Sequence, residues 1–144
     1  MKRFGYLRDP LFLCGCAAYV LNRFVLKPHF SAALLHNWFN DALLIPCALP
    51  PLLLAHRWLG LRKHDAPPSA LEVTAHVVGW SVLFEWAGPH FMRGTTGDPW
   101  DVVAYCVGAL VALICWSWQS QIQSGGQVRA GRAARTVQDA GANG

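Results

Sequence analysis

Residues 98–118 read DPWDVVAYCVGALVALICWSW, a run without charge after Asp101, framed by acids at one end and tryptophans at the other. Asp98 stands where a helix wants its N-cap, Pro99 takes the first helical position, and Asp101 falls at the place of a capping-box acid. An apolar helix of this length with tryptophan near both ends is predicted to cross a membrane.

Three earlier stretches repeat the pattern. Residues 11–26 follow the basic Lys2, Arg3 and Arg8 and lack a small-x-small cleavage site, so they are read as a retained anchor and not a leader. The second span, 38–58, runs from Trp38 to Trp58, roughly 30 Å at the helical rise and close to the thickness of the hydrocarbon core. Pro46, Pro50 and Pro51 interrupt its backbone donors and predict a kink. The third, 70–87, opens on Ser69-Ala70-Leu71-Glu72, a capping box, and ends near Trp86. The expected fold is therefore all-α: a four-span transmembrane bundle over residues 1–118, followed by a disordered tail at 119–144 rich in Gln, Gly, Ala and Arg.

Composition agrees with this reading. Of 144 residues, 53% are hydrophobic and 14% charged, well below the roughly 25% charged that is usual for soluble domains. Twelve Lys and Arg against eight Asp and Glu leave a net charge of +4. Four spans would put Lys2, Arg3, Arg8, Arg57, Arg62, Lys63, Arg129, Arg132 and Arg135 on one side and Arg23, Lys27 and Arg93 on the other. That split predicts both termini in the cytoplasm. Trp38, Trp86 and Trp100 then mark the outer interface, and Trp58, Trp116 and Trp118 the inner one. The cytoplasmic loop reads as plain charge.

The five cysteines lie in apolar stretches and form neither a disulfide framework nor a zinc spacing, so they are read as small hydrophobes. Neither a metal nor a cofactor is expected. Phosphate-loop, dinucleotide, nucleophile-elbow and H-E-x-x-H motifs are absent, and only the tail is basic, which excludes nucleic acid as an expected partner.

Polar residues near the outer ends of the spans carry the functional expectation, because charge is expensive there. Glu85, Arg93, Asp101, Asp41, Asn40 and Asp98 all fall on that side and form the candidate site. Asp101, Tyr105, Gly108 and Ala112 recur at i, i+4, i+7 and i+11, a stripe whose small residues let another helix approach and which turns Asp101 into the bundle. His76 is an intramembrane polar residue near the bilayer centre, either paired with Glu72 as a proton relay or bonded to a neighbouring helix.

Glu85, Arg93 after a short loop, then Asp98, and Asp101 with Gly108 seven residues further on, resemble the signature of VanZ-like proteins. These are small bacterial membrane proteins named after a teicoplanin-resistance factor. Asn40-Asp41 ahead of a proline-containing span is similar to a subgroup of short relatives. Gly88 stands where that family often has Gln, and Tyr105 where it often has Asn. The resemblance implies a four-helix fold in the bacterial cytoplasmic (inner) membrane, with Glu85, Arg93 and Asp101 central.

The expected function is a multi-pass membrane protein, not evidently an enzyme, whose external polar cluster binds a lipid headgroup or a cell-envelope partner. The bilayer is its first partner, an anionic or polyprenyl lipid a second, and a further copy of the chain a third. The alternative is a small oligomeric secondary transporter coupled to protons or cations through His76 and the acids. A lipid-directed enzyme using Glu85 or Asp101 as general acid or base is a third reading.

Overall fold

The computed structural model describes residues 4–91 and 97–142, with side chains as far as Ile122. Among them every regular element is a helix. The first long helix joins α1 (Pro10–Leu21), a π-helical segment Asn22–Leu26 and α2 (Lys27–His29). The chain turns through α3 (Ala33–Asn37) and α4 (Phe39–Ala42), and α4 passes through Leu43 into α5 (Leu44–Trp58). After a loop come α6 (Ala70–Ser81), a second π-helical segment Val82–Ala87 and α7 (Gly88–Phe91), and last α8 (Pro99–Ala142).

Pro10–His29, Phe39–Trp58 and Pro99–Ile122 are long and apolar enough to cross a membrane. Four spans are expected from the sequence, and three helices meet this measure. Residues 70–91 are helical throughout, but Glu72, His76, Glu85 and His90 dilute their apolar character. The outward faces are greasy: Phe24 is 68% and Leu110 59% exposed, and Leu13, Val20 and Val111 stand open beside them. A surface of that kind suits hydrocarbon better than water.

Local chemistry accounts for the helix ends. Asp9 caps α1, its carboxylate accepting the amides of Leu11 and Phe12, with Pro10 in the first position. The expected capping box is present on α6, with Ser69 and Glu72 each bonded to the other's amide. Gly60, at a φ of +74°, takes the left-handed position that ends α5. Pro50 and Pro51 sit inside α5, which continues through them as helix. The backbone of α8 runs on to Ala142, past Trp118 where the sequence predicts disorder. The side chains of 123–144 lie outside the described residues.

Helix α8 is the hub, packed on α4, α5 and α6, while α1 packs on α5 with buried Gly15 against Pro46 and Cys47. The stripe on α8 faces inward as its spacing suggests: Tyr105 and Ala112 are buried, and a Cβ on Gly108 would overlap the carbonyl oxygen of Ala42. Ile45, Leu49 and Leu53 of α5, Val73 of α6 and Ala109, Ala112 and Trp116 of α8 complete the core with Phe4 and Tyr6.

Trp116, expected at the inner interface, is part of the core at the Arg62 end of the bundle. It is 1% exposed, edge-on to Phe4, and its indole N–H donates to Asp9 Oδ1 at 3.1 Å. The loop after α5 departs from plain charge in the same region. Arg62 is 4% exposed and donates to Glu72 Oε1 (2.8 Å), the Tyr6 hydroxyl (3.0 Å) and the Ala66 carbonyl (2.7 Å). Asp65 accepts from Tyr6 at 2.9 Å and from Arg57 at 2.9 Å. Burial pushes the Tyr6 phenol above its ordinary range, the bond to Asp65 adds to this, and Arg62 opposes it. Tyr6 has a φ of +46°, a costly conformation for an aromatic residue, here held by contacts on every side.

Two outcomes are expected. Gly108→Ala should lower the stability of detergent-purified protein by about 1–3 kcal/mol through overpacking, whereas Gly79→Ala, with open space around it, should raise the melting temperature slightly. Arg62→Ala should cost roughly 1–3 kcal/mol by leaving Glu72 with only its bonds to Ser69 and the Tyr6 hydroxyl without that donor, read as a fall in the thermal unfolding midpoint.

Candidate functional site

At the end of the bundle opposite Arg62, four of the six expected site residues converge. Asn40 and Asp41 come from α4, Glu85 from the second π segment, and Asp101 from the first turn of α8. With Tyr19, Leu44, Phe84 and Tyr105 they line a cleft of about 440 Å³. The close approach of α4 to α8 at Gly108 and Ala42 sets Asp41 and Asp101 on facing helices, Asp41 next to that contact and Asp101 about two turns from it.

Glu85 is half-buried and bonded, accepting from the Tyr105 hydroxyl at 3.1 Å and from the Asp98 amide at 2.6 Å. The sequence offers Asp98 and Asp101 as a capping box. The structure keeps the N-cap alone: Asp98 Oδ1 accepts the Trp100 amide at 3.0 Å, the Asp101 amide goes to the Asp98 backbone carbonyl, and the Asp98 amide goes to Glu85. Asp98 therefore serves the helix end and lies outside the cleft lining. Gly97 makes this possible, since a Cβ there would come within 2.5 Å of the Glu85 carbonyl oxygen. Arg93 lies outside the described residues. Among the described residues the cation acting on Asp41 is Lys27, whose Nζ is held by the His36 carbonyl at 2.7 Å.

Asn22 is a member of this end that the sequence analysis does not single out. Fully buried, it donates through Nδ2 to Asn40 Oδ1 at 2.8 Å and to the Leu35 carbonyl at 2.9 Å, and so orients Asn40 toward the cleft wall. A neutral amide inside an apolar span was the available signal, because such a group needs partners there. Asn22 and Glu85 both lie in π-helical segments, where the widened turn shifts the register of side chains. Tyr105, expected as a packing residue of the stripe, is also the donor to Glu85.

His76 stands apart from the cleft. Its Nδ1 lies 2.6 Å from the Glu72 carbonyl, one turn back on its own helix, and its ring centroid is 5.7 Å from that of His56. Because His56 is two residues before Trp58, the pair lies toward the basic end of the bundle. The exposed His29 and His90 make the same one-turn bond, to Val25 and Trp86. Among the described residues no group of three or more His, Cys, Asp or Glu is arranged to hold a metal ion.

Among the described residues the cleft offers three carboxylates, one amide and two phenols. It presents acceptors in excess of donors and suits a group that brings hydrogen-bond donors or positive charge. No family model matches the chain, and neither a curated protein nor a solved structure is similar to it.

Glu85 can be tested as an acceptor. Glu85→Ala strands the Tyr105 hydroxyl and the Asp98 amide and should cost about 1–3 kcal/mol; Glu85→Gln keeps a carbonyl oxygen for the Asp98 amide and turns its NH2 to the Tyr105 hydroxyl, which can accept, and should melt close to the parent.

Proposed function

We propose that this chain is a VanZ-like, four-span protein of the bacterial cytoplasmic membrane that binds a lipid headgroup in its outward-facing acidic cleft. The observation that carries the reading is the convergence of Asn40, Asp41, Glu85 and Asp101 around one opening at the end of membrane-length helices. In this reading residues 70–91 form the remaining span, and both termini lie in the cytoplasm. The fit of charge narrows the ligand. A headgroup carrying an ammonium or several hydroxyls meets the carboxylates favourably, whereas one ending in bare phosphate meets repulsion that, among the described residues, Lys27 offsets in part. A polyprenyl carrier bearing a sugar belongs to the first class.

A second reading, a proton- or cation-coupled transporter, is favoured by one observation: the acids at one end and the His56–His76 pair toward the other offer proton-accepting groups at two levels of the bundle. It requires a second copy to enclose a path.

Headgroup selectivity separates the two. Lipids co-purified with the protein should be enriched in amine or sugar headgroups over phosphatidic acid, and Asp101→Asn should erase that enrichment. Equal composition in protein and bulk membrane overturns the headgroup reading. Proton flux in proteoliposomes that is lost in His76→Ala would establish the transporter instead.

A further inference from the structure

The Arg62 end of the bundle holds two imidazoles that the acidic cleft does not involve. His56 lies near the end of α5 and His76 in the second turn of α6, both half-buried. Their ring centres are 5.7 Å apart with the planes tilted by 44°, so the rings are neither stacked nor edge-on.

Imidazole is the commonest metal ligand, and the ring nitrogen that does not bind the ion is usually held by a hydrogen bond to a carbonyl or carboxylate. His76 meets that requirement: the Glu72 carbonyl 2.6 Å from Nδ1 takes a proton there and leaves Nε2 its lone pair. His29 and His90 make the same one-turn bond, and what sets His76 apart is the second imidazole reaching it from another helix. Two imidazoles on one ion, each nitrogen about 2.0–2.1 Å from the metal, have ring centres roughly 5–6 Å apart. The observed separation falls in that range.

The surroundings narrow the ion. Glu72 is committed to Arg62 and Ser69, and among the described residues no third His, Cys, Asp or Glu joins the pair. The protein therefore offers nitrogen, which suits zinc or copper and not the oxygen-seeking magnesium and calcium. Half-burial of both rings admits water to the remaining positions. Neighbouring positive charge is already balanced, Arg57 by Asp65 and Arg62 by Glu72.

We infer that His56 and His76 together bind one transition-metal ion of the zinc and copper class, which ties α5 to α6 at this end of the bundle. The site is separate from the cleft and stands whether or not the headgroup reading does.

Calorimetric titration of Zn²⁺ into the full chain in detergent, purified without a polyhistidine tag, tests it. The parent should bind the ion, and its thermal unfolding midpoint should rise with it. His56→Gln and His76→Gln should each weaken binding about tenfold or more and abolish that rise. His64→Gln and His90→Gln, at exposed histidines, should do neither. Should a glutamine variant of the pair melt early without metal, electron paramagnetic resonance of the Cu²⁺-loaded parent decides: two coordinated imidazole nitrogens uphold the pair, and one or none overturns it. Failure of the parent to bind overturns the inference, as does binding that survives in both variants. Loss in only one of the two also overturns it, because a lone imidazole would then hold the ion without a bridge.

Discussion

The contact of Gly108 with the Ala42 carbonyl governs the acidic half of the molecule. Helices in a bilayer gain nothing from hiding apolar surface from one another, since lipid is as apolar as leucine, so they associate where small residues allow close packing. A Cβ at position 108 would overlap the Ala42 oxygen, and glycine is what lets α8 approach α4 at that point. With the two backbones in contact, Asp41 and Asp101 face a common cleft on one side, while Phe39, Ala42 and Val103 face a groove on the other. The polar opening and the apolar one are products of one close approach.

At the opposite end side-chain polarity takes over from small size. Arg62 brings five donors into a nearly dry site, and Glu72, Tyr6 and Ala66 accept from them. Buried charge of this kind is a weak source of net stability, but it is unforgiving of alternatives, because any other arrangement strands the guanidinium. The segment from Phe4 to Asp9 is thereby fastened to the loop after α5 and to α8. The π segments do comparable work higher up, placing Asn22 against Asn40 and Glu85 against Tyr105.

Much of this was legible in the sequence, for local reasons. Helix positions, the capping box at Ser69, the inward stripe on α8 and the grouping of Asn40, Asp41, Glu85 and Asp101 follow from hydropathy, from patterns spanning three or four residues, and from an up-and-down path. What escaped depends on partners distant in the chain. Trp116 reads as an interfacial residue until Phe4 and Asp9 come to it, and Arg62 reads as loop charge until Tyr6 and Glu72 surround it. Asn22 stayed silent because no motif marks a lone amide. Residues 70–87 read as a span by position, yet the acids and histidines of the helical run 70–91 leave it less apolar than the other three long helices.

The bond from Trp116 to Asp9 joins residues 107 positions apart. A chain is made and inserted from its N-terminal side onward, so Asp9 is in place long before α8 exists. Until α8 arrives, the Asp9 carboxylate caps α1 without its indole partner, and Phe4 lacks the ring it leans on. The clasp thus closes only once α8 has joined the bundle, and the segment before α1 depends for its place on a helix far along the chain.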